Sequence, residues 1–249
     1  MAVVMPLGRR GRDVLRGVLN LLYPPSCLLC GESVPEDARD YCTPCAHELK
    51  HDPFPSCPRC AQTVGPFAAS ESGCPNCKDH DFRFHEALRL GPYEGKLREA
   101  ILKIKHAAAA DLADSLGRLL ADQLAERLVH QAIAGVIPIP LHWWRQLQRG
   151  YNQSNALARP IATRLGLPLR SRWLRRRRCT PHQMGRSLSA RQANVHGAFH
   201  TVGQGMRGKT VLLVDDVMTT GSTCSEAARA LRQAGAKRVI VAVLARSEL

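Results

Sequence analysis

The stretch VLLVDDVMTTGST, Val211 to Thr223, limits what this chain can fold into more than any other. Its opening run, Val211 to Val214, is unbroken in hydrophobicity, as in a strand buried on both faces of a parallel sheet. Asp215 and Asp216 then stand side by side at the carboxyl end, followed by the small-residue loop Thr219, Thr220, Gly221, Ser222 and Thr223. A helical pattern comes next, with Thr223 and Glu226 spaced as a capping box and Gly235 placed as the stop. In an open α/β sheet, ligands bind beyond the carboxyl ends of strands. A helix amino terminus entered through small residues offers N–H groups and a positive dipole to an anion. Two carboxylates ahead of such a cradle suit a sugar phosphate, accepting hydrogen bonds from ribose hydroxyls or helping to hold Mg²⁺. An ordinary strand–turn–helix is the bland alternative, and the number of matching positions argues against it.

Upstream lie four Cys-x-x-Cys pairs: Cys27/Cys30, Cys42/Cys45, Cys57/Cys60 and Cys74/Cys77. A two-residue gap lets both thiolates of a tight turn reach one ion, and two such pairs close a tetrahedral Cys₄ zinc site. Eight thiolates make two sites. Sequential pairing is the simplest assignment, and a crossed one fits the same spacing. The segment is short, proline-rich and poor in apolar material, and zinc supplies the missing folding energy, on the order of 10 kcal/mol per site. Iron–sulfur or dithiol chemistry is the lesser reading, because no βαβ pattern surrounds the pairs. No cysteine is left over to open a catalytic position, so both sites are expected to be structural. Cys179 and Cys224 stand alone and are read as structural too.

The chain has 249 residues, 45% of them apolar, which is ample for a core. Its net charge of +14 is uneven: residues 27–84 sum to −4, whereas residues 85–249 hold 26 basic against 11 acidic side chains. The positive field thus accompanies the sugar-phosphate motif and favours phosphorylated small molecules or polyanions, though a solvated basic surface has the same composition. No run of 18 apolar residues is present, and the start lacks the apolar stretch of a secretory signal. Paired cysteines without such a signal point to metal in a reducing cytoplasm. Residues 13–23 form an amphipathic pattern beside Arg9, Arg10, Arg12 and Arg16. Such a helix can make peripheral membrane contact, but packing on its own protein is the expected role.

Residues 97–128 carry apolar positions at helical steps, with Asp111 placed to cap a second helix. VIPIPL, residues 136–141, reads as a strand whose prolines suit an edge or an end. HWWRQLQRGYNQS follows as a loop in which Arg145 and Arg149 accompany Trp143, Trp144 and Tyr151. Arginine beside aromatic rings can clamp phosphate and stack a base, and paired tryptophans equally occur as packing. A helix is expected over 155–165, kinked at Pro160, then a strand in LPLRSRWL. The arginines 175–178 lead into a long polar segment containing Arg186 and Arg191, the kind of long loop that is usually functional or disordered. Gly203, Gly205 and Gly208 match a dinucleotide fingerprint but precede the strand instead of following it, so they are a decoy. KRVIVAVLAR, residues 237–246, supplies the last strand.

The cysteine pairs, VIPIPLHWWRQLQRGYNQSNALA, TPHQMGRSLSARQANVHGAF and VLLVDDVMTTGST together resemble the ComF family of natural-competence proteins. That resemblance covers nearly the whole chain. It implies an N-terminal helix (1–26), a double zinc ribbon (27–84) and a type I phosphoribosyltransferase-like domain (85–249), an α/β fold with a parallel sheet and flanking helices. It implies that Asp215 and Asp216 hold the ribose hydroxyls of phosphoribosyl pyrophosphate. Residues Thr219 to Thr223 would take its 5′-phosphate, with Mg²⁺ accompanying the ligand. The loop after residue 141 would bind pyrophosphate, and the segment near 178–197 would close over the site. Arg145, Arg149, Arg178 and Arg191 are the candidate contacts to pyrophosphate or DNA. A cytoplasmic role with single-stranded DNA and the DNA-uptake machinery is implied as well. An active transferase acting on a base or amine, and a sensor of phosphoribosyl pyrophosphate, are the alternative readings. A nucleobase-binding hood is not recognisable in the sequence, which weighs against turnover.

Overall fold

The computed structural model describes residues 20, 24–35, 40–50, 52, 54–65, 73–78, 80–106, 109–177, 195–203 and 205–247. Apart from Asn20, the expected helix over 13–23 lies outside this set, as do Arg178, Cys179, Arg186 and Arg191. By internal contacts the chain divides into two units, Met1–His47 and Glu48–Leu249. No described helix is long and apolar enough to cross a membrane.

Each unit contains one Cys₄ cluster, and the two are built alike. PSCLLCGESV and PSCPRCAQTV lie thirty residues apart in the sequence and fold into the same knuckle. The Cys27 and Cys57 amides donate to Glu32 and Gln62 carbonyls at 2.8 Å, and the Val34 and Val64 amides to Pro25 and Pro55 at 3.0 Å. The turn requires a left-handed residue after the second cysteine, supplied by Gly31 (φ 81°) and by Ala61 (φ 57°). The third and fourth cysteines of each cluster sit at a helix start: α1, Thr43–Lys50, and the single turn α2, Pro75–Lys78.

The larger unit is organised on a parallel sheet. Among the described residues, β1 (Glu86–Pro92), β2 (Ile133–Pro138), β5 (Thr210–Met218) and β6 (Arg238–Arg246) pair in the order β1-β6-β5-β2. Helices α3 (Gly95–Lys103), α4 (Ala110–Leu128), α5 (Trp143–Arg149), α6 (Gln153–Arg164) and α7 (Ser222–Gln233) make the crossovers. A short antiparallel pair, β3 (Leu174–Arg176) and β4 (Phe199–Thr201), stands apart from that sheet. Val211 to Val214 of β5 and Val239 to Ala245 of β6 read as continuous apolar runs because both faces of the sheet are buried there.

The lengths of β2 and β5 place the site. β2 pairs with β5 only as far as Pro138 opposite Val214, and the Ile139 amide makes the last bond, to the Val214 carbonyl. Pro140 then has no N–H to continue the ladder. β5 runs on through Asp215 to Met218, still paired with β6, so its carboxyl end is open on one side. The prolines of 136–141 thus sit at the end of a strand, as their chemistry requires.

Several local expectations are corrected. The segment 97–128 forms two helices, but Asp111 lies in the first turn of α4 behind the N-cap Ala109 and caps nothing. Trp143 to Arg149 is helical, not loop: the His142 side chain accepts the Trp144 amide, and Gly150 ends the turn at φ 75°. LPLRSRWL contributes a single bridge, Leu169 to Val136, before β3 begins. Helix α6 starts at an Asn152 cap and continues through Pro160. Room for that ring comes from α4, where a Cβ on Gly117 would lie 2.5 Å from Pro160 Cγ and 2.7 Å from the Leu157 carbonyl oxygen.

That close approach fixes the α4–α6 crossing. Gly117→Val should cost roughly 1–3 kcal/mol by overpacking against backbone that cannot step aside, read as a fall in melting temperature of several degrees with secondary structure retained. An unchanged melting temperature would mean the helices are free to separate.

Candidate functional site

Strand β5 carries Asp215 and Asp216 past the end of β2, where α6 meets them. The Asn152 side-chain amide donates to the Ile139 carbonyl at 3.2 Å, and its oxygen accepts the Ser154 amide at 3.1 Å. Ser154 Oγ in turn donates to Asp215 Oδ1 at 2.9 Å, and the Asp216 amide donates to the same oxygen at 3.0 Å. Asp216 Oδ1 accepts the Val217 amide at 2.7 Å. The carboxyl of Asp215 is pushed up from 3.8 to about 7, by burial first and by the neighbouring Asp216 second. Ser154, the Asp216 amide and the charge of Arg176 oppose that rise. An acid partly withdrawn from water beside a second acid is poised to accept hydroxyl hydrogens or to share a cation.

Ahead of α7 the loop turns at Gly221, φ 76°, which is the N-cap of the helix. Thr220 is buried and its hydroxyl lies 2.9 Å from that of Ser222. The Thr223–Glu226 capping box is therefore not formed. With the left-handed turn at Gly221, the helix begins at Ser222, so Thr223 is already inside it. Glu226 serves elsewhere, accepting the Gly197 amide at 2.7 Å and two bonds from Arg229. Burial raises the Glu226 pKa, but Arg229 and the Gly197 N–H outweigh it and hold the carboxylate low. Glu226 thereby ties the backbone emerging from the 178–194 segment to the helix behind the loop. The expected helix stop is present, with Gly235 at φ 97° after the C-cap Ala234. The first amides of a helix have no intrahelical acceptor, and here Thr219 to Thr223 gather them just beyond two carboxylates, an arrangement fit for a phosphorylated sugar.

Three neighbours of the acids come from stretches singled out in the sequence, Ser154 and Tyr151 from the segment after residue 141 and Arg176 from the arginine run. Ser154 follows an ordinary N-cap. Tyr151 is pushed up to about 12 chiefly by burial, with Asp216 adding to the rise and Arg149 opposing it, and its hydroxyl donates to the Ile104 carbonyl. Arg176, on β3, acts on Asp215 through its charge. The residue types alone could not separate them from similar ones nearby; the fold brings them together. Arg149 is half-buried at the end of α5 and Arg145 lies within that helix. Trp143, Trp144 and Leu147 on α5 are 65%, 49% and 72% exposed. A cavity of about 270 Å³ adjoins the loop, lined on one side by Thr220, Ser222 and Ser225 and on the other by His80 and Phe82.

The cysteines fall into two clusters, Cys27/Cys30/Cys42/Cys45 and Cys57/Cys60/Cys74/Cys77, with ligand atoms within 4.8 Å of one another in each. The pairing is sequential, not crossed. Tetrahedral zinc with Zn–S bonds of 2.3 Å sets sulfurs about 3.8 Å apart. Observed separations are 3.6 Å for Cys30–Cys42, 3.8 Å for Cys57–Cys77 and 3.7 Å for Cys60–Cys74. Both donor sets therefore fit structural zinc. In the first, burial disfavours the Cys27 thiolate, yet the Cys30, Cys42 and Leu29 amides bring it down to about 6.

The chain matches the double zinc ribbon family model over residues 18–78 and the phosphoribosyl transferase domain model over residues 152–248. It is 30% identical over 227 residues to competence protein F of Haemophilus influenzae, covering 89% of this chain and 96% of that one. It is also 30% identical over 233 residues to the DNA utilization protein YhgH of Salmonella typhimurium, covering 91% and 99%. Over 124 residues it is 31% identical to the amidophosphoribosyltransferase of Pseudomonas aeruginosa, covering 50% of this chain and 23% of that one.

The raised Asp215 pKa sets a direction for stability. Between about pH 4 and 7 the unfolded chain releases this proton while the folded chain keeps it, so the contribution of Asp215 to stability falls as pH rises and levels off above 7. Asp215→Asn should remove that slope and raise the melting temperature at pH 8 by about 3 °C, the response to about 1 kcal/mol in a chain of this size. A lower melting temperature than wild type at pH 8 would contradict the assigned environment.

Proposed function

The chain belongs to the competence protein F (ComF) family, and from that premise we propose that it binds phosphoribosyl pyrophosphate with Mg²⁺ at the end of β5 and serves in handling incoming single-stranded DNA. The observation that carries the ligand half is the meeting of the Asp215–Asp216 pair with the Thr219–Thr223 turn on one strand end. Asp215 and Asp216 accept the ribose hydroxyls, and the α7 amides cradle the 5′-phosphate. Mg²⁺, when bound, neutralises charge on the pyrophosphate. Arg149, whose charge acts on Tyr151, is the cation assigned to the same end of the ligand.

The DNA half is supported by the names of the two relatives matched over nearly their whole length and by the chemistry of α5. Exposed Trp143, Trp144 and Leu147 next to Arg149 offer rings on which unpaired bases stack, beside a cation for the backbone. The basic excess of residues 85–249 adds a field favourable to a polyanion. Eight cysteines grouped as metal ligands support a reducing compartment, the cytoplasm. Transfer of ribose 5-phosphate to a base or amine is a second reading, favoured by the partial likeness to an amidophosphoribosyltransferase. In it the paired acids steady a developing positive ribosyl centre.

Calorimetric titration of zinc-loaded protein with phosphoribosyl pyrophosphate and Mg²⁺ should give saturable binding. The double variant Asp215→Asn, Asp216→Asn should lose it by about a hundredfold or more with zinc content unchanged. Full binding by that variant would sink the site assignment. Repeating the titration with single-stranded DNA, and assaying pyrophosphate release with candidate bases and amines, separates a binding role from a transferase.

A further inference from the structure

The second zinc knuckle reaches the phosphate turn through a short chain of contacts. Phe82 is buried, with its ring stacked between His80, at 5.2 Å between centroids, and Phe84, at 4.8 Å. The ring lies directly on the turn, since a Cβ added at Gly221 would come 2.7 Å from Phe82 Cε1. One residue on, the Arg83 amide donates to Ser225 Oγ in the first turns of α7, at 3.0 Å. The backbone that carries the ring is held by Arg59, which sits between the metal ligands Cys57 and Cys60. Its guanidinium donates to the Phe82 carbonyl at 2.8 Å and to the Phe84 carbonyl. At the equivalent place in the first knuckle, thirty residues earlier, stands Leu29, which has no guanidinium to reach out with. On its other side the second knuckle is fastened to the sheet by Arg89, whose side chain is 1% exposed. Arg89 bonds both oxygens of Asp52 at 2.9 and 3.1 Å, the Ala61 carbonyl at 3.0 Å and Thr63 Oγ1 at 2.9 Å.

We propose that the second knuckle braces the phosphate turn: the Cys57/Cys60/Cys74/Cys77 cluster fixes Arg59, Arg59 fixes Phe82, and Phe82 holds Gly221 in the conformation that converges the α7 amides on a phosphoryl group. Arg59 and Phe82 are positioning residues, not ligand contacts. The proposal rests on the reading of this turn as a sugar-phosphate cradle, and it assigns the two knuckles different duties, the second being coupled to ligand and the first not. Coupling of this kind is reciprocal: what the metal site does for the ligand, the ligand does for the metal site.

The test uses full-length protein carrying two zinc ions, as wild type, Phe82→Ala, Phe82→Leu and Arg59→Met. Phe82→Ala should keep both ions, exchange its amides over residues 219–225 about tenfold faster without any ligand, and bind phosphoribosyl pyrophosphate with Mg²⁺ about tenfold more weakly; Phe82→Leu should recover most of both losses. In wild type the same ligand should slow chelator-driven release of one zinc ion of the two. Arg59→Met keeps the phenyl side chain but releases the backbone that carries it, and should give the same reading if Phe82→Ala fails to fold. Unchanged exchange over 219–225 in folded, zinc-loaded variants overturns the brace, as does equal protection of both ions. Absence of binding by wild type would instead remove the ligand assignment, while the ligand-free exchange arm still decides the brace.

Discussion

Placing two carboxylates directly after a fully buried apolar run is the constraint that the larger unit is built to meet. Val211 to Val214 are all inaccessible, and the next residue along the same strand is an acid. Burial of an isolated carboxylate is costly unless hydrogen bonds compensate. Ser154 Oγ and the Asp216 amide provide part of that compensation on Asp215 Oδ1, and the short β2 leaves the other side of the strand end open for whatever else comes. Had β2 carried its ladder as far as β5 does, the acids would face a neighbouring strand. Pro140 prevents this by removing the donor that another rung would need. A proline that looks awkward in a strand is thus part of how the cleft is made.

The metal sites meet a different shortage. Below residue 85 the sequence has too few apolar side chains for a core of its own, and the second cluster resolves this by joining another core. Cys57, Cys60 and Cys74 belong to the same buried cluster as Phe82, Phe84, Met218 and Cys224. A zinc tetrathiolate is a dianion, so packing it among aliphatic groups needs donors on its sulfurs, such as the Cys74 amide on Cys57 Sγ at 3.3 Å. Asp52 and Arg89 complete the join with a buried, multiply hydrogen-bonded pair. Breaking such a pair leaves an uncompensated charge and is strongly destabilising.

Much of this was readable in the residues because the relevant signals are local. Thiolate spacing is fixed by one turn and one ion, so the two Cys₄ sites followed from eight positions. The apolar run, the acid pair and the small-residue turn fall within thirteen residues. What could not be read are features decided across the fold. Thr223 and Glu226 have capping-box spacing, but the N-cap is settled by Gly221, whose left-handed turn lies against a ring 139 residues earlier in the chain. Asp111 was one residue inside its helix instead of ahead of it. Trp143, Trp144 and Leu147 do fall at helical spacing, but all three are exposed and the helix has only seven residues, too short a window for periodicity to reveal it. The thirty-residue repeat of the knuckles was open to inspection and carries a lesson of its own. It includes Gly31 and Ala61 at one backbone position with positive φ, and the alanine hides the equivalence that a second glycine would have made plain.

The phosphate turn gathers its support from segments far apart in sequence. Phe82 covers Gly221, the Gly197 amide is held by Glu226 one turn into α7, and Arg246 Nη1 donates to the Met218 carbonyl from the end of β6 at 3.0 Å. One contact falls on Gly221 itself, one just ahead of the five-residue loop and one just after it, and the loop has only small side chains of its own. Small residues are required there because amides must approach a phosphoryl group closely, but small residues leave a loop with little to hold it in shape. Rigidity therefore has to be imported. The chain draws it from the segment that follows the zinc knuckle, from the backbone at Gly197 and from the last strand, and residues 80–83 and 195–196 also line the cavity beside the loop. Anything that loosens one of them alters the geometry of the turn without touching a residue of the motif by which the turn is recognised.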